Sequence, residues 1–93
     1  MALKRSNLKI THQVLEMTKN AGQPGLKTLQ IITKANISHP RFKTLISNLT
    51  NSELINKIEY DGKNAFVITE KGKHYLEDYK RFATIAEAFG FEL

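Results

Sequence analysis

A mainly helical α+β domain is what this sequence predicts, and three observations predict it. Apolar residues recur at helical spacing in four separate segments. Between the third and the fourth, the period drops to that of strands around a Gly-containing loop. A chain of 93 residues, 41% apolar and 25% charged, suits one globular domain with a modest core.

The first helix is expected from Ser6 to Ala21, with Ile10, Val14, Leu15 and Met17 forming its stripe and Ser6 or Asn7 at its start. "AGQPG", Ala21 to Gly25, breaks it with two glycines and a proline. A second helix follows from Thr28 to Ala35, with Leu29, Ile32 and Ala35 inward and Thr28 as its cap. At about two turns it needs neighbours to persist. Asn36, Ile37 and Ser38 then make a tight turn: Asn36 tolerates a left-handed backbone, Ile37 plugs the corner, and Ser38 is a good cap.

The third helix, 39–51, has Pro40 in its first turn, where the missing N–H costs nothing, and Phe42, Leu45, Ile46 and Leu49 on one stripe. Two β-rich runs come next, Ile55–Tyr60 and Ala65–Thr69, around a four-residue loop, Asp61–Asn64. Pairing Tyr60 with Ala65 sets Ile58 opposite Val67, on the face expected to lie over the helices. Thr69 caps the last helix, and Glu70 suits the positive end of its dipole. Helix, helix, turn, helix, hairpin and long helix in that order make a winged helix-turn-helix. Residues 1–69 are expected to form that domain and 70–93 its C-terminal helix, the two being one structural unit.

Charge narrows the function. Residues 1–51 carry eight basic residues against Glu16 alone, whereas residues 52–93 carry six basic and eight acidic residues. A positive half points to an anionic partner. No apolar run reaches the ~20 residues of a membrane span. The N-terminus has no secretory h-region, and there is no Cys. The expected compartment is the cytoplasm, with nucleoid association if the partner is DNA. His12, His39 and His74 sit in separate elements without metal-ligand spacing, so neither a metal nor a cofactor is expected. Glu77 and Asp78, beside Lys73, Lys80 and Arg81, read as helical ion pairs, and no catalytic constellation stands out.

The outer face of the third helix is the leading candidate site. Arg41 suits bidentate contact with guanine and Asn48 contact with adenine, while Thr44 and Ser47 serve base edges or phosphates. His39 and Lys43 complete a basic, hydrogen-bonding face with no acid in it. Lys27 and Thr28, at the start of the second helix, offer a phosphate the positive end of a dipole. Lys63 and Asn64 are expected at the tip of the hairpin; Lys4, Arg5 and Lys9 are further phosphate contacts to consider.

"KANISHPRFKTLISNLTNSELI" followed by "FVITEKGKHYLEDYKRF" resembles the small archaeal winged-helix DNA-binding proteins, in particular the ten-kilodalton chromatin-associated type. "ITEKGKHYLEDY" is also similar to the strand-to-helix junction of MarR- and PadR-like regulators, a signature of fold rather than of contact. The resemblance implies double-stranded DNA as partner, a recognition helix at about His39–Asn51, a wing tip at Asp61–Asn64, and a dimer helix at Glu70–Phe89. Tyr75, Tyr79, Phe82, Ala86, Phe89 and Leu93 follow spacings of 4, 3, 4, 3 and 4, an a/d seam of about two and a half heptads suited to a homodimer.

The expected protein is therefore a dimeric DNA-binding transcriptional regulator. An architectural, chromatin-type protein with little sequence preference is the alternative, and a winged helix used for protein–protein assembly is the rival from another class. That rival calls for apolar or acidic residues on the outer face of helix 39–51, which has none. RNA binding calls for exposed aromatics, and Phe66 alone, on the hairpin's other face, has no evident place.

Overall fold

The computed structural model describes residues 7–90, so the expectations placed on Lys4, Arg5, Ser6 and Leu93 fall outside the described residues. Helix α1 spans Asn7–Ala21 and turns Ile10, Val14 and Leu15 inward. Thr18 is buried among them, its hydroxyl satisfied by the Val14 and Leu15 carbonyls at 3.0 and 2.9 Å. The segment after α1 holds a short strand, β1 (Leu26–Lys27), which two residues of sequence do not announce.

Helix α2 runs Thr28–Ala35 as expected, with Ala35 buried and Ile32 packed against the core, but Ile31 takes the inward place expected for Leu29. Ile31 and Ala35 are buried, and Leu29 is 73% exposed. In a helix this short, Leu29, Ile31 and Ile32 offer two competing stripes, and spacing alone does not choose. Lys27, not Thr28, is the N-cap, and its N–H donates to Gln30 Oε1 at 2.9 Å. Asn36 adopts the left-handed conformation (φ 54°, ψ 55°), and Ile37 is buried in the corner. Ser38 caps α3 (His39–Asn51), its Oγ accepting from the Arg41 N–H at 3.2 Å. Phe42 and Leu49 bury themselves, with Leu45 and Ile46 packed at the margin. The end of α3 folds back on itself: Leu54 N–H reaches the Leu49 carbonyl at 2.9 Å, with Glu53 at φ 63°.

Strands β2 (Ile55–Tyr60) and β3 (Lys63–Ile68) form the wing, and β1 pairs with the other edge of β3, giving an antiparallel sheet of order β1-β3-β2. The hairpin is tighter than expected. Asp61 and Gly62 both have positive φ (54° and 74°) and make a two-residue turn, so Tyr60 pairs with Lys63 and Ile58 with Ala65. The shift of two residues preserves which residues share a face, but the face turned to the helices is the other one. Ile55, Phe66 and Ile68 join the core, while Ile58 and Val67 are only half-buried. Phe66 thereby finds its place: it is 4% exposed and meets Phe42 edge-on, ring centroids 5.8 Å apart.

The junction to α4 (Glu70–Ala88) is closely tied. The Thr69 hydroxyl accepts the Gly72 N–H at 2.9 Å and lies 2.7 Å from the Glu53 carbonyl, to which it donates. Gly72 packs against the Leu54 backbone so closely that a Cβ would strike the Leu54 carbonyl oxygen. Helix α4 then crosses α1, stacking Tyr79 on His12 (centroids 4.3 Å apart) and pairing Lys80 with Glu16 at 3.1 Å. Asp78 meets Arg81 at 3.9 Å, the i,i+3 contact expected there. No helix among the described residues is long and apolar enough to cross a membrane.

Candidate nucleic-acid interface

The candidate residues fall on three concavities, two of them connected across α2 and the wing and the third on the opposite flank of α3. His39, Lys43 and Ser47 share a groove with Thr28 of α2 and with Lys57 and Asn64 of the wing. A second groove joins Lys27 and Thr28 to Lys63 and Asn64 across the wing tip. Thr28 and Asn64 line both, so these two surfaces are continuous. Arg41, Thr44 and Asn48 lie on the opposite flank of α3, along a crevice shared with α1 and α4. All ten residues thus border α3 or the wing, on two flanks rather than one patch.

Local folding explains this division. In α3, His39, Lys43 and Thr50 lie on one flank by helical rotation and Arg41 and Asn48 on the other, with Thr44 and Ser47 between. The side chains differ in freedom. Arg41 is half-buried, and its Nη2 donates to Asn7 Oδ1 at 3.0 Å, which holds the guanidinium toward the start of α1. Thr44 Oγ1 donates to the Pro40 carbonyl at 3.3 Å. His39, Lys43, Ser47 and Asn48 are exposed, as are Lys63 and Asn64.

The electrostatics favour an anion. No acid occurs anywhere in α3, and neither α2 nor α3 has one in its first turn, so nothing on those helices neutralises the positive ends of their dipoles. Glu59 and Asp61 are the acids nearest the wing tip, and Glu59 borders the second groove.

Sequence reasoning missed three residues. Lys57 and Asn56 line the groove between α3 and the wing. Lys57 pairs with Phe66 and so stands on the helix side of the sheet, at the edge where the core has ended. Asn7, which with Ser6 is a candidate cap in the sequence, is the first residue of α1 and holds Arg41. The signal for Lys57 is a lysine on one face of a strand, and it becomes legible only once the face turned to the helices is known. Among the described residues no three side chains of metal-binding type come together.

The winged helix-turn-helix family model matches residues 4–87, and the chain belongs to that family. Among solved structures, Sso10a-2, a DNA-binding protein from Sulfolobus solfataricus, is similar with a TM-score of 0.76 at 20% identity, over 91% of this chain and 85% of that one. AF1382 from Archaeoglobus fulgidus gives 0.69 at 18% identity, over 91% of each chain. SSV1 F-93 gives 0.65 at 17% identity, over 95% of this chain and 97% of that one. At these identities the likeness is one of fold. No curated protein matches the sequence significantly.

Proposed function

We propose that the chain is a winged-helix transcriptional regulator that binds double-stranded DNA as a homodimer, with α3 in the major groove and the wing bracing the backbone. The observation that carries this reading is the acid-free outer face of α3, continuous with a groove bearing Lys43, Lys57 and Asn64. Membership of the winged helix-turn-helix family supports it, as does the fold shared with Sso10a-2, a DNA-binding protein. Arg41, Thr44 and Asn48 are assigned to base edges, and Lys27, Lys43, Lys57 and Lys63 to phosphates. We assign the protein binding and no catalysis.

The dimer is assigned to the apolar stripe that α4 leaves uncovered: Phe82, Ile85 and Phe89, exposed by 53, 57 and 75%. Tyr75 and Tyr79 are partly covered within the chain, and Ala86 is buried there. A two-fold axis would offer two α3 helices to one duplex, favouring a palindromic site.

The test is a binding titration against a mixed-sequence duplex and against the DNA upstream of the protein's own reading frame, each at two salt concentrations. Binding that weakens with salt and prefers the upstream duplex supports the regulator. Equal binding to both replaces it with an architectural role. Absence of binding to either at low salt overturns the DNA reading.

A further inference from the structure

Leu29 is used neither by the core nor by the dimer contact assigned above. It is 73% exposed in the first turn of α2, while Ile31 and Ala35 of the same helix are buried and the uncovered stripe of α4 consists of Phe82, Ile85 and Phe89. Leu29 lines the concavity of about 600 Å³ between the start of α2 and the wing tip, together with Lys27, Lys63 and Asn64. The backbone fixes its place. Lys27 pairs with Ala65 in the sheet, and its N–H donates to Gln30 Oε1 at 2.9 Å, so the first turn of α2 starts directly from the edge of β3. Glu59 is the one acid among the lining residues; it stands on β2, paired with Asn64 and separated from Lys27 by β3. Two lysines against one glutamate leave the concavity positive.

A single exposed leucine needs no explanation by itself. This one shares its concavity with lysines from two elements, and through Thr28 and Asn64 that concavity continues into the groove beside α3. A DNA strand offers the complementary surface, anionic phosphates alternating with the less polar faces of deoxyribose. We propose that one sugar–phosphate strand crosses this concavity, its phosphates on Lys27 and Lys63 and a deoxyribose against Leu29, and that Leu29 thereby selects against a 2′-hydroxyl. Leucine has no acceptor for that group, and burying a hydroxyl without a partner is unfavourable. The 2′-hydroxyl is also what lets a protein tell RNA from DNA at a given site. The inference rests on the DNA-binding reading and adds to it a contact that carries no charge.

The experiment titrates the full chain against a DNA duplex just long enough to hold one copy, at several salt concentrations. Leu29→Ala should weaken binding about fivefold at every salt concentration and leave the slope of log K against log salt unchanged, because an apolar contact releases no counterions. Lys63→Ala should instead lower that slope by about 1. A set of the same duplexes, each with one ribonucleotide, is then scanned along both strands. The native chain should lose about fivefold or more in affinity at one or two positions. Leu29→Ser, whose hydroxyl can pair with the 2′-hydroxyl, should show no such loss at those positions. Because Leu29 is exposed, both of its variants should keep the native melting temperature.

Unchanged affinity in Leu29→Ala, a salt slope that falls with that substitution, or a native slope in Lys63→Ala would overturn the proposal and leave DNA binding in place. So would a ribonucleotide penalty that is absent from every position or persists in Leu29→Ser. If the native chain binds no duplex even at low salt, the DNA-binding reading fails and this contact fails with it.

Discussion

Arg41 lies on the flank of α3 that borders α1, and its surroundings decide what it can do there. The Asn7 contact limits the directions the guanidinium samples, so less freedom is lost when it meets a planar acceptor. If it reads a guanine edge, Arg41→Ala should cost ~1–3 kcal/mol of specific binding and relax preference at one base pair. A lysine on phosphate behaves differently. Lys57→Ala should weaken all duplexes alike and lower the slope of log K against log salt by about 1, with sequence preference unchanged. Unequal losses across duplexes would move Lys57 from backbone to base. The contrast also explains what could be read from sequence alone. The candidates on α3 were legible because a helix fixes which side chains face away from its apolar stripe. Lys57 and Asn7 were not, because one depends on which face of the hairpin turns inward and the other on where α1 meets α3.

Among the elements, the helices and their order were legible to within a residue or two, because each carried a cap or a breaker: Ser38 with Pro40, Thr69 with Glu70, Asn36 at the corner. The sheet was less so. Asp61–Gly62 is a strong two-residue turn, yet reading Lys63 and Asn64 as loop moved the register by two. Which face turns inward is a separate choice, and alternation along the strands does not make it. In α4 two neighbouring apolar stripes, Tyr79 with Ala86 and Phe82 with Phe89, merge into one 4-3-4 pattern that spacing cannot separate. Close approach is also invisible to sequence. Gly72→Ala forces a methyl against the Leu54 carbonyl and within 2.7 Å of Ile68 Cγ1. Overpacking of this kind costs about 1–3 kcal/mol, measurable as a lower denaturant midpoint with the slope unchanged. The α1–α4 contact adds a pH dependence. Burial holds the His12 pKa below its usual 6.5, Glu16 opposes the shift and Lys80 adds to it, and the buried Nδ1 has no hydrogen-bond partner among the described residues. The folded chain therefore binds the proton less readily than the unfolded one. Its stability is full above pH 6.5 and falls as pH drops from there toward the lowered value. Thermal melts between pH 7.5 and 5.5 should fall more steeply for the native chain than for His12→Phe, which keeps a ring against Tyr79.

For the whole molecule, the question is whether two copies act together. Phe82, Ile85 and Phe89 span about two turns of α4, and three side chains fall short of the ~800 Å² per partner typical of a stable interface. A dimer resting on them is expected to depend on concentration, with monomer appearing on dilution. Because these side chains are exposed in the single chain, Phe82→Glu and Phe89→Glu should leave its melting temperature nearly unchanged while opposing association. Sedimentation at several concentrations reads the association, and a titration against a two-half-site duplex reads its consequence. Losing the second copy removes the gain from simultaneous engagement, on the order of 10²-fold or more in affinity. A single half-site should be bound equally well by both forms. If the native chain is monomeric at every concentration and Phe89→Glu binds the long duplex as tightly, each winged helix meets DNA alone. The exposed stripe of α4 then serves a different contact.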